Sequence, residues 1–114
     1  MSKYRIQRAN ELLKKELGKI ILETVELPGE TFATITGVLV SSDLQHARVF
    51  LSIIPEEESK EVLRVLSQNI FSIQQDLNKK LRMRPIPKIE WALQTNASQV
   101  QRVEELLEEI KKGK

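Results

Sequence analysis

Lys79-Lys80-Leu81-Arg82-Met83-Arg84-Pro85-Ile86-Pro87-Lys88-Ile89-Glu90-Trp91 is the stretch that decides the fold. Its first half closes a helical pattern and its second half opens a strand. Pro85 and Pro87 supply no backbone N–H and push the residues before them toward extended backbone, so a helix entering this stretch stops here. Ile89, Trp91 and Leu93 then alternate with Lys88, Glu90 and Ala92, which places three large apolar groups on one face of a strand and Trp91 in the core. The same stretch gathers Lys79, Lys80, Arg82 and Arg84 at a helix C-terminus. The negative end of the helix dipole tolerates cations there, and an anionic polymer can be gripped by them.

Upstream, Val62, Leu66, Ile70, Ile73, Leu77 and Leu81 recur at spacings of three or four, a helix entered through Pro55 and the acidic run Glu56-Glu57-Glu58 and long enough to break in two. Further back, Ala47, Val49, Leu51 and Ile53 alternate with His46, Arg48, Phe50 and Ser52 as a half-buried strand does. The Thr/Ile/Val-rich segment from Thr31 to Val40 reads as its hairpin partner, joined through the turn Ser41-Ser42-Asp43-Leu44. Ala33 and Ile35 are out of phase with Val38 and Val40, so a bulge is expected at Gly37. Ile6, Leu13, Leu17, Ile20 and Ile21 share one stripe of a first helix over about Lys3 to Val25, ended by Leu27-Pro28-Gly29. Downstream, Asn96 or Ser98 can cap a last helix whose apolar face is Val100, Val103, Leu106, Leu107 and Ile110, ending at Gly113. The order is helix, strand, strand, long helix, strand, helix, an α+β arrangement with helices on one sheet face. His46, Arg48, Phe50, Lys88, Glu90 and Ala92 are expected on the open face.

A chain of 114 residues, 40% hydrophobic and 30% charged, builds one core and not two. Its aliphatic runs, such as Ile20-Ile21-Leu22, are far shorter than the roughly 20 residues that cross a bilayer. The first residues lack the apolar core of a signal peptide and the absence of cysteine fits a reducing compartment, so the cytoplasm is expected, and with no large exposed apolar stripe demanding a dimer a monomer is expected. His46 is the single histidine and has no cysteine to partner it. Ser42, Asp43 and His46 within one turn are ordinary turn composition rather than a triad. The glutamates at 57, 58 and 61 and at 104, 105, 108 and 109 are explained as solvated helix faces, and no metal or other cofactor is called for. Gly18, Gly29, Gly37 and Gly113 build neither a phosphate-binding loop nor the Gly-x-x-Gly clamp of a KH domain. A binding protein rather than an enzyme is expected.

The net charge of +2 conceals a segregation. Residues 1–19 carry six Lys/Arg against two Glu, 20–75 carry three against eight acids, and 76–88 carry five against Asp76 alone. Two basic surfaces follow, one from Lys3, Arg5, Arg8, Lys14, Lys15 and Lys19, the other from Lys79, Lys80, Arg82, Arg84 and Lys88. The candidate nucleic-acid-binding residues are Lys79, Lys80, Arg82, Arg84, Lys88, Arg5, Arg8 and Lys15. Arg84, next to Pro85, competes between nucleic-acid contact and a helix C-cap. With aromatics at 4%, charge and shape are expected to outweigh base stacking. The alternative is a protein-interaction module that binds a partner through its acidic helix faces.

Three segments together carry a resemblance: Val40-Ser41-Ser42-Asp43-Leu44-Gln45-His46-Ala47-Arg48-Val49, Leu77-Asn78-Lys79-Lys80-Leu81-Arg82-Met83-Arg84, and Pro87-Lys88-Ile89-Glu90-Trp91. In order and spacing the chain resembles the ribosome-binding factor A family over about Arg5 to Ile110. The resemblance implies a KH-like domain of type II (α-β-β-α-α-β) with a C-terminal helix and no Gly-x-x-Gly loop, spanning residues 1–114 with 111–114 a short basic tail. It implies binding to the small ribosomal subunit and its rRNA and assistance in late 16S rRNA maturation, notably in the cold, with other assembly factors such as a GTPase as further partners. Two positions depart from the family pattern. Asn69-Ile70-Phe71 stands where an Ala-x-Gly interruption is usual, and Asn69 is expected to offer a side-chain hydrogen bond to a backbone group freed at the kink. Gln74 stands where an arginine is common, which removes a phosphate contact.

Overall fold

Ala9, Leu13, Leu17, Ile20 and Ile21 are buried along one stripe of helix α1, Lys3–Thr24, while the cations of this helix lie off the stripe and stay exposed. In the computed structural model, which describes residues 3–94 and 100–102, α1 is followed by strands β1, Phe32–Val40, and β2, His46–Ile54. A 3₁₀ turn at Glu56–Glu58 leads into α2, Ser59–Gln68, then α3, Ile70–Lys80, and strands β3, Lys88–Gln94, and β4, Val100–Arg102. The sheet order is β1-β2-β3-β4. β1 runs antiparallel to β2, β2 parallel to β3, and β3 antiparallel to β4.

The bulge lies where the phase of the sequence changes. Ile35 faces Leu51 and Gly37 faces Phe50, so Thr36 is the extra residue. It restores Val38 and Val40 to the core face that Ile35 occupies before it. Leu51, Val49, Ile89 and Trp91 complete that face, against Leu13, Leu17, Leu66, Ile73 and Leu77 from the helices. On the opposite face His46 and Lys88 are exposed and Arg48, Phe50 and Glu90 half-buried, as the alternation requires. Ala92 is the exception, fully buried rather than open. It sits in register with Phe50, and a single methyl group is readily covered beside so large a ring.

The long helix breaks at Asn69, between α2 and α3. Asn69 Nδ2 donates to the Val65 carbonyl at 2.8 Å, the side-chain bond expected of this residue, and its carbonyl accepts from the Ile73 N–H at 2.9 Å. The break leaves the Leu66 carbonyl without the i+4 donor of a continuous helix. The Asn69 N–H at 3.2 Å and the Trp91 indole N–H at 3.2 Å replace it. Trp91 therefore both fills the core and ties the sheet to the helix break.

Gln74 does more than lack a guanidinium. Its Oε1 accepts from the Ile89 N–H at 2.9 Å and its Nε2 donates to the Pro87 carbonyl at 3.2 Å. A side-chain amide thus pairs with the backbone on either side of Lys88, where β3 begins, as a strand would.

Residues 100–102 are a strand rather than the beginning of the expected last helix. Val100, Gln101 and Arg102 pair with Gln94, Leu93 and Ala92, satisfying backbone groups on the outer edge of β3 that a helix here would leave unpaired. The apolar spacing from Val103 to Ile110 and the basic tail 111–114 lie outside the described residues.

Leu77 is fully buried between α3 and the sheet, so Leu77→Ala should cost about 2 to 5 kcal/mol in urea denaturation, whereas Phe71→Ala, at a side chain 74% exposed on the same helix, should stay within about 0.5 kcal/mol. Gln74→Ala should cost about 1 to 3 kcal/mol and speed hydrogen exchange of the Ile89 amide, because it leaves that N–H without its acceptor.

Candidate nucleic-acid interface

The turn between β1 and β2 is built by its own polar side chains. The Ser41 hydroxyl donates to Asp43 Oδ1 at 2.6 Å and accepts from the His46 N–H at 3.0 Å, while the Gln45 N–H donates to the same Asp43 oxygen at 3.0 Å. The Ser41 hydroxyl, and after it the Gln45 amide, hold the Asp43 carboxyl below its ordinary pKa. Asp43 is thereby a turn-forming acid. Leu44 follows with φ of 60°, a left-handed backbone that turns its side chain inward, where it is 5% exposed.

The segment 81–87 reaches the same end of the sheet. The Lys88 N–H donates to the Gln45 carbonyl at 2.9 Å, which fastens the start of β3 to the turn. Arg84 Nη1 donates to the carbonyls of Leu81 at 3.1 Å and Met83 at 2.7 Å, closing the chain behind α3. The C-cap role weighed for Arg84 is thus filled. Met83 and Ile86 pack half-buried against the core.

Between the first half of α1, this turn and this segment runs an open groove of about 790 Å³. Arg5, Arg8, Lys15 and Arg84 line it, so four of the eight candidate RNA-binding residues, from two regions distant in sequence, meet at one recess. Its floor is apolar, from Leu12, Leu44 and Met83, and Glu11 is the acidic residue along it. Tyr4 lies at one end, 66% exposed, with the Arg8 guanidinium 5.7 Å from its ring centroid. The other four candidates do not line it. Lys79, Arg82 and Lys88 are exposed around the same end of the molecule, and Lys80 Nζ is 3.9 Å from Glu23 Oε2. Charge spacing along the chain missed Tyr4, Leu12, Leu44 and Met83. The i, i+4 placement of Tyr4 and Arg8 on one helix face was the available signal.

A second recess of about 820 Å³ lies between the later half of α1 and β1, with Ile21, Leu22, Val25 and Phe32 among its lining residues. It shares Glu11 and Lys15 with the first. Among the described residues no cluster of histidine and acidic side chains could hold a metal ion, and no helix is long and apolar enough to cross a membrane.

Comparison with known proteins sets these features in a family. A protein of Thermodesulfovibrio yellowstonii named ribosome-binding factor A is 35% identical over 108 residues, 95% of this chain and 92% of its own. The crystal structure of ribosome-binding factor A from Thermus thermophilus superposes with a TM-score of 0.67 at 27% identity, over 77% of this chain and 93% of that one. A homology model of the Thermus thermophilus factor, fitted into a cryo-EM map of a complex of the 30S subunit with that factor, gives a TM-score of 0.59 at 29% identity, covering 71% and 86% of the two chains. The sequence model of ribosome-binding factor A matches residues 5–107, and with the identity found over nearly the whole chain this protein belongs to the ribosome-binding factor A family.

Proposed function

We propose that this protein binds the small ribosomal subunit by gripping the backbone of its rRNA, and that it assists the late maturation of 16S rRNA without making or breaking bonds itself. The observation that carries this reading is the convergence of Arg5, Arg8, Lys15 and Arg84 on one groove. Guanidinium and ammonium groups converging from separate elements suit the phosphates of a folded RNA, whose shape then selects the site. Lys79, Arg82 and Lys88, exposed nearby, widen the positive field. A relative fitted to a 30S complex supports the choice of the small subunit as partner. The order α1-β1-β2-α2-α3-β3 agrees with a KH-like reading of type II, with Asn69-Ile70-Phe71 instead of an Ala-x-Gly interruption at the helix break. The cytoplasm is the compartment this reading requires, and exchange with other assembly factors, a GTPase among them, completes it.

Cosedimentation with purified small subunits over a salt series tests the reading. Affinity should fall steeply, with each neutralised phosphate contributing about 0.7 to 0.9 to the slope of log K against log salt. The double reversal Arg8→Glu/Lys15→Glu should lower affinity at least tenfold near 0.1 M salt and flatten that slope by about 1.5, while stability stays within about 0.5 kcal/mol because both side chains are exposed. Binding that is indifferent to salt and to the double reversal would instead favour a protein partner on the acidic helix faces.

A further inference from the structure

The groove holds more than a line of charges. Its floor of Leu12, Leu44 and Met83 is apolar, and phosphates gain nothing from such a surface. Leu12 is 40% exposed and Tyr4 66% exposed, so apolar area stands open beside cations. The Arg8 guanidinium, 5.7 Å from the ring centroid, takes one face of Tyr4 and holds the ring on the helix surface. At 66% exposed, the ring still offers open area to a partner. A volume of about 790 Å³ falls within the range of about 300 to 1,000 Å³ typical of small-molecule sites. A flat, weakly polar ring bearing an anionic tail fits both halves of this surface at once.

We propose that the groove takes an unstacked nucleotide from a single-stranded segment of RNA, its base laid on Tyr4 above the floor of Leu12 and Met83 and its phosphates reaching Lys15 and Arg84. Base, tyrosine ring and Arg8 then form one stack in which the cation strengthens the ring as a platform. This rests on the RNA reading above and adds to it a preference for a nucleotide outside a helix. A duplex cannot satisfy the site, since its bases are buried in their own stack.

The test uses the full chain and a fluorescein-labelled single-stranded RNA hexanucleotide, compared with a duplex of the same sequence. Tyr4→Ala should weaken binding of the single strand by between about 5-fold and 150-fold, and Tyr4→Phe should stay within about 2-fold, because stacking requires the ring and not the hydroxyl. The ring protons of the chain's one tyrosine should move upfield on adding the hexanucleotide, a signature that loss of stability alone would not produce. Equal binding of duplex and single strand, or unchanged affinity in Tyr4→Ala, would overturn the inference. If Tyr4→Ala is silent while Arg8→Glu/Lys15→Glu still loses small subunits, the nucleotide site falls and backbone recognition stands. If Tyr4→Ala weakens binding to RNA-free small-subunit proteins and leaves the hexanucleotide untouched, the groove docks protein and the inference is wrong.

Discussion

The parallel pairing of β3 with β2 is the constraint on which the rest depends. Two adjacent parallel strands cannot be joined by a tight turn, so the chain must leave the end of β2, cross one face of the sheet and re-enter beside the start of β2. α2 and α3 are that crossing. It delivers the C-terminal end of α3 and the segment behind it to the end of the sheet where the β1-β2 turn lies, and the Lys88–Gln45 backbone bond holds the two together. α1 packs against β1 and α3 at the same place, with Asn10 Oδ1 accepting from the Val40 N–H at 2.8 Å. The groove is the space those three pieces leave between them.

Concentrating cations there has a cost in mutual repulsion, and several local devices offset it. Lys79 and Lys80 occupy the last turn of α3, where the helix dipole favours positive charge. Arg84 spends part of its hydrogen-bonding capacity on the carbonyls of Leu81 and Met83, so it organises the chain that carries it. Glu11 stands within the groove, and Glu23 near Lys80. These arrangements keep the field strong at the recess without leaving unrelieved charge on every neighbouring element.

The helices before β3, the hairpin with its bulge, the break near Asn69 and the core position of Trp91 were legible because each follows from short-range periodicity or from a residue with restricted backbone chemistry. What escaped notice depended on distant partners. Gln74 looked like a lost cation, yet the backbone of β3 fifteen residues away gives it a structural task. Residues 100–102 carry part of a helical apolar spacing, but the unpaired edge of β3 draws them into a strand. The basic residues were identified by charge alone, and charge alone could not say that Arg5, Arg8, Lys15 and Arg84 share a recess while Lys79, Lys80, Arg82 and Lys88 lie outside it. Tyr4 was hidden in an average, since a low aromatic content says nothing about where the few rings stand.

Leu44 adds a last point. A branched side chain seldom tolerates a left-handed backbone, and the conformation here costs on the order of 1 kcal/mol. That cost is recovered only when the leucine is seated beneath α1 and the Ser41–Asp43 bonds have closed the bend around it. A glycine would ease the bend and remove one of the three floor residues; a leucine in an ordinary turn would keep its comfort and point elsewhere. Hairpin and recess are thus joined through one side chain, and a change to the bend alters the surface that a ligand meets.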